Sequence, residues 1–159
     1  MLSVRPTRDD EIDDAYNVLL EVRDWLIAKG RRQRIANTTR ATYEELQSAG
    51  DNFVVLSGGQ IAGVFTVAFQ SLPEWPSVTE KVFFLRALAT KPDFRGKEVG
   101  ATAVRFATTM NAPTPVYLDC VSGFLPEYYQ RLGFERVDRQ LLTCDDGDYD
   151  VTLMKSSSV

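Results

Sequence analysis

The spacing of apolar positions changes several times along the chain, and each change marks an element. LSVRPT, residues 2–7, opens as a short strand. Thr7 is placed to cap a helix whose first turn is acidic at Asp9, Asp10 and Glu11, the charge sign that a helix N-terminus favours. Ile12, Ala15, Tyr16, Leu19, Val22 and Leu26 follow at helical spacing, up to a stop near Gly30. Thr42 with Glu45 has the spacing of a capping box for a second, short helix that ends about Ala49.

The period then becomes that of strands. NFVVLSGGQIAGVFTVAFQ reads as a hairpin, because two apolar runs flank Gly58-Gly59, a pair that reaches the positive φ such turns need. SLPEWPSVTE is a loop, and KVFFLRALAT is a long apolar strand, buried on both faces and ended by Pro92. From Gly96 to about Met110 the apolar residues Val99, Ala103, Val104, Phe106 and Ala107 return to helical spacing. PVYLDCV is a strand, and LPEYYQRL is a short helix closed by Gly133 as a left-handed cap. FERVDRQLLT and DYDVTLMK finish as a strand pair around CDDGD. The order β-α-α-β-β-β-α-β-α-β-β predicts an α+β domain, a mixed sheet with helices on both faces.

Composition narrows the function more than the fold. The 159 residues are 44% hydrophobic and 25% charged, which suits one domain with a single core. Residues 1–155 are taken as that domain and 156–159 as a loose tail. The formal net charge is -4, so neither nucleic acid nor an anionic membrane is an expected partner. The basic cluster KGRRQR, residues 29–34, reads as the cover of a helix end, with a groove wall as the alternative. MLSVRPTRDD has no apolar segment of the kind a secretory signal needs, and Cys120 and Cys144 make no disulfide framework. A cytoplasmic protein with two small thiols is the expectation. The chain contains no histidine, which removes Ser-His-Asp and Cys-His catalysis and most zinc sites. No metal is expected.

The stretch PDFRGKEVGATAVRFA, residues 92–107, places an arginine, two glycines and a lysine where a strand hands over to a helix. Such a turn is an anion site by geometry, because first-turn N–H groups lack intrahelical partners. A Walker A motif and the dinucleotide fingerprint both fail on spacing. The stretch resembles the acetyl-CoA loop of the GNAT superfamily of N-acetyltransferases, Arg/Gln-x-x-Gly-x-Gly/Ala. Arg95, Val99 and Gly100 match, and Glu98 stands where the family's first glycine belongs. LDCVSGFLPEYYQRLGF is similar to the family's later strand and helix, through Tyr129, Leu132, Gly133 and Phe134. The resemblance covers nearly the whole chain.

The resemblance implies a three-layer fold around a mostly antiparallel sheet and transfer of acetyl from acetyl-CoA to a primary amine of a small molecule or peptide. It implies that the coenzyme A diphosphate sits on the turn formed by Arg95, Gly96, Lys97, Glu98, Val99, Gly100 and Ala101. The pantetheine arm would pair like an extra strand with Leu88, Ala89 and Thr90. Tyr129 matches the family's acid for the leaving thiolate, and Asp119, on the neighbouring strand, is the candidate base. The acceptor pocket would involve Trp25 and Trp75. A non-catalytic acyl-CoA-binding domain is the alternative function, and a homodimer is a fair expectation. Glu98 is read as a first-turn acid worth ~0.3–1 kcal/mol to its helix and as an unfavourable neighbour for a diphosphate. Relatives often carry an asparagine after the strand that holds Asp119, and VSGFLPE has none.

Overall fold

A computed structural model describes residues 1–31, 38–144 and 147–157. Much of the KGRRQR cluster, and the centre of the CDDGD turn, lie outside the described residues. The elements are β1 (Leu2–Pro6), α1 (Ile12–Ala28), α2 (Arg40–Ser48), β2 (Asn52–Ser57), β3 (Gln60–Gln70) and β4 (Val82–Thr90). They continue with α3 (Val99–Asn111), β5 (Val116–Val121), α4 (Leu125–Arg131), β6 (Phe134–Cys144) and β7 (Gly147–Ser156). The seven strands form one sheet in the order β1-β2-β3-β4-β5-β7-β6. Every neighbouring pair is antiparallel except β4 with β5.

Alternate residues of the central strands feed two different cores. Phe53, Val55 and Phe65 face α3 and α4, together with Val99, Ala103, Leu118 and Met154. Val54 and Val64 face α1 and α2, packing on Ala15, Val18, Leu19, Val22 and Leu26. A strand buried on both faces reads as a continuous apolar run, as NFVVL does. A third cluster lies beneath the segment between β3 and β4, where Leu72, Trp75 and Val78 cover Phe84, Tyr149, Val151 and Leu153. The fold is α+β, with helices on both faces of a mixed sheet.

Four local expectations are corrected. Thr7 does not cap α1: it is buried, its N–H donates to the Asn52 carbonyl at 2.9 Å, and a 3-10 turn at Asp9–Glu11 precedes the helix. The Glu11 carboxylate takes over the capping by accepting the Arg8 N–H at 2.8 Å. The second helix is capped by Thr39, whose hydroxyl accepts the Thr42 N–H, so Thr42 is already inside it. Ser156 belongs to β7, and its buried hydroxyl accepts the Val116 N–H at 2.8 Å. Finally α3 begins at Val99 and not at Gly96, which makes Glu98 its N-cap.

Candidate active site

The sheet opens between β4 and β5. Their register holds only at Phe83↔Val116 and Phe84↔Tyr117, while β5 continues beside β7 from Tyr117↔Lys155 to Val121↔Val151. A bulge in β4 drives the separation. Val64 pairs with Ala89 and Thr66 with Arg86, so Phe65 alone stands opposite both Ala87 and Leu88. Ala87 absorbs the extra residue at φ 54, a left-handed conformation that an alanine adopts only when its surroundings enforce it. The resulting wedge is a cleft of about 370 Å³.

The cleft passes from one face of the sheet to the other. Leu118, Cys120, Leu125 and Tyr129 line it on the side of α3 and α4. Trp75, Phe84 and Asp119 line it on the opposite side, with Glu74, Arg86 and Thr38. Tyr129 is half-buried, and its ring meets Phe134 at 6.0 Å and Tyr128 at 5.1 Å. Burial first, and then the neighbouring Cys120 and Tyr128, push the Tyr129 phenol well above its ordinary range. Burial likewise pushes the Cys120 thiol up to about 12, with the Asp119 charge adding to it. Asp119 Oδ2 accepts a hydrogen bond from Trp75 Nε1 at 3.0 Å.

At the far end of β4 the chain turns sharply. Lys91 N–H holds the Ala62 carbonyl at 2.8 Å, a 3-10 turn follows at Pro92–Phe94, and Gly96 takes φ 78. Glu98 then takes φ 64 and ψ 23 with no side-chain cap bond, and its carbonyl accepts the first helical N–H, that of Thr102, at 2.9 Å. This conformation explains why a glycine suits the position: the residue stands in the left-handed region that costs a Cβ-bearing residue most. The N–H groups of Glu98, Val99, Gly100 and Ala101 have no partner inside the helix.

Two glycines set where those groups lie. A Cβ on Gly63 of β3 would fall 2.7 Å from Val99 Cγ1 and 2.8 Å from the Ala89 carbonyl oxygen, so the bare backbone lets α3 sit down on the sheet. A Cβ on Gly100 would fall 3.3 Å from the Tyr128 hydroxyl. Tyr128 thus points at the helix start while Tyr129 points at the cleft, a division of the two phenols that follows from neighbouring positions on one helix. The turn fits an anionic group: unpartnered N–H donors, a helix dipole, and a cradle at Gly100 that a side chain would fill.

Trp25 is not on the cleft wall. Its ring lies under the Arg95 guanidinium at 4.6 Å, with Lys29 and Arg31 each at 5.7 Å from the ring centre. Arg95, Gly96, Lys97 and Glu98 are exposed, and Lys97 lies over the Phe94 ring. Leu88 lines the cleft, whereas Ala89 and Thr90 pair with Val64 and Gly63 of β3. Their other edge lies beyond the reach of β5. The structure thus brings Tyr129, Asp119, Trp75 and Leu88 to one cleft and gathers Arg95 to Ala101 at its neighbouring turn. Gly63 and Ala87 were not singled out from sequence, where only their place in apolar strands hints at them, and Cys120 reads there as a small thiol without a place at the site.

The comparisons with known proteins agree with this geometry. The model of the acetyltransferase (GNAT) family matches residues 19–134. No curated protein sequence matches the chain. Among solved structures, a GNAT-family acetyltransferase from Streptococcus agalactiae superposes with a TM-score of 0.76 at 15% identity, covering 96% of this chain and 94% of its own. A structure from Corynebacterium glutamicum, described as histone acetyltransferase HPA2 and related acetyltransferase, gives 0.71 at 21% identity, covering 99% and 97%. The ribosomal-protein-S18-alanine N-acetyltransferase of Escherichia coli gives 0.70 at 14%, covering 99% and 94%. At those identities the structures speak for the fold, and the family model speaks for the lineage. The chain belongs to the GNAT family of acetyltransferases, and by that membership it is an acyltransferase.

Proposed function

We propose that this protein moves the acetyl group of acetyl-CoA onto a primary amine of a small molecule or peptide, by direct attack within a ternary complex. The observation that carries the reading is the through-sheet cleft, with a phenol at one face and a carboxylate at the other. When bound, acetyl-CoA supplies an activated acetyl thioester. The β4 edge at Leu88, Ala89 and Thr90 and the turn from Arg95 to Ala101 would hold it.

The chain's own residues divide the proton work. Tyr129, kept neutral by burial, retains a proton at its Oη for the leaving sulfur. Asp119 reaches the cleft from the other face, where its charge suits an incoming ammonium and a carboxylate oxygen takes the proton, directly or through water. Cys120 is the thiol on the cleft wall, and burial, with the Asp119 charge adding to it, raises the group and keeps it protonated, which supports direct attack over a covalent intermediate on this residue.

The E. coli neighbour, named for an alanine of a ribosomal protein, supports a peptide amine as one form of the acceptor. We place the activity in the cytoplasm, on the two unpaired thiols expected of a reducing compartment, and the assembly as a homodimer, on the resemblance to the family. The test is thermal unfolding with acetyl-CoA, followed by an amine panel read by free-thiol release. Acetyl-CoA should raise the melting temperature, because a ligand held only by the folded state stabilises it by mass action. No shift at millimolar acetyl-CoA refutes the assignment. A shift without thiol release on any amine favours the second reading, a non-catalytic acyl-CoA-binding domain, for which Glu98 in the glycine position is the specific observation.

A further inference from the structure

Trp75 sits in the segment between β3 and β4, enclosed to 1% exposure, and its indole N–H donates to Asp119 Oδ2 at 3.0 Å across 44 residues of chain. Packing alone does not call for a tryptophan there. Leu72, Val78, Phe84, Val151 and Leu153 fill the same cluster with side chains that carry no polar atom. An indole N–H is a donor only, and its enclosure is tolerated because an acceptor meets it. That acceptor is a carboxylate on the cleft wall, so the bond is charge-assisted and favours the ionised form.

We infer that Trp75 is a positioning residue for Asp119: its indole fixes one carboxylate oxygen and keeps the group ionised at the mouth that receives the acceptor's ammonium. The inference rests on the acetyl-transfer reading of this cleft. It adds a second role to the expectation that Trp75 belongs to the acceptor pocket, because the ring lines the cleft while its one polar atom is held by Asp119. Among the described residues that line the same cleft, the other titratable groups are Glu74 beside Trp75, Arg86 on β4, Cys120 on β5 and Tyr129 on α4. On the β7 side Asp119 stands opposite Leu153, which carries no charge.

The chain has two tryptophans, so an ¹⁵N–¹H spectrum contains two indole cross-peaks, assigned with Trp25→Phe. At neutral pH the Trp75 indole proton should lie downfield, and Asp119→Asn should move that cross-peak upfield while Trp25's stays. The Asp119 carboxyl carbon, followed through a pH titration, should then show its midpoint raised by about one pH unit in Trp75→Phe, the weight of one hydrogen bond to a charged group. A Trp75 cross-peak unmoved by Asp119→Asn, or an unchanged midpoint in folded Trp75→Phe, overturns the inference. Should Trp75→Phe fail to fold, the Asp119→Asn comparison decides, since that change preserves volume. Neither measurement uses coenzyme or acceptor. A failure of the acetyl-transfer reading would appear separately, as no stabilisation by acetyl-CoA.

Discussion

Glu98→Gly reverses sign between a sequence-based and a structure-based reading. Placed inside the first helical turn, Glu98 would stabilise α3, and glycine there would cost roughly 1 kcal/mol in helix propensity. In the structure it is the N-cap in the left-handed region, at φ 64, and its side chain makes no capping bond. A left-handed backbone costs a residue with a Cβ about 1–2 kcal/mol, which glycine does not incur. Against that stands the greater freedom glycine gives the unfolded chain, about 0.5–1 kcal/mol. The variant should therefore be equal to or more stable than the parent, by up to about 1 kcal/mol, or about 2–4 °C for a domain of this size.

The same substitution should strengthen acetyl-CoA binding. A carboxylate within ~8 Å of a diphosphate repels each unit charge by about 0.5 kcal/mol in bulk water and more where water is partly excluded, so a gain of about 2–5-fold is expected at low salt. The gain should shrink at high salt, where a Debye length near ~3 Å at 1 M screens the repulsion. Glu98→Gln separates the two effects, since it removes the charge and keeps the backbone strain. It should recover the affinity and none of the stability. Calorimetric titration and thermal unfolding of the three proteins at two salt concentrations read both quantities. A glycine variant less stable by about 1 kcal/mol would refute the left-handed N-cap account. Weaker binding in both variants would show that the carboxylate organises the turn.

Tyr129→Phe should leave acetyl-CoA affinity within a few-fold and slow turnover on an identified acceptor by on the order of 10²-fold, since it removes the acid and keeps the ring against Phe134. Unchanged turnover would reduce Tyr129 to a packing residue. Gly63→Ala should lower stability by about 1–3 kcal/mol and weaken acetyl-CoA binding, because the new methyl collides with Val99 and the Ala89 carbonyl and lifts the start of α3. Adding Val99→Ala should restore only part of the loss in denaturant unfolding, since the backbone clash remains; full restoration would place the whole effect on the side chain.

What the sequence disclosed follows from the range of the interactions involved. Periodicity is a local signal, and it located the helices and strands because Ile12 to Leu26, and NFVVL, carry their burial pattern within a single element. Capping was misplaced by a few residues, since threonines at 38, 39 and 42 all offer a hydroxyl and only the path of the backbone selects Thr39. The turn at Arg95 to Ala101 was legible as a motif, and the glycine position that Glu98 occupies was the one hint of its left-handed backbone, where the sequence alone reads as a first-turn acid.

The cleft lies further from what a sequence states. ALAT carries no glycine to announce the bulge at Ala87, and the parting of β4 from β5 depends on two different neighbours, β3 and β7, pulling the strands apart. Trp75 and Asp119 meet across 44 residues, so neither position reveals the other. These are also the features that convert a sheet into a site. The bulge and the left-handed cap run against local preference, and the long-range hydrogen bond lies outside anything a local signal carries. Under the proposed acetyl transfer, acceptor choice should reside on the Trp75 face of the cleft, among Glu74, Arg86 and Asp119, and not at the Arg95–Ala101 turn.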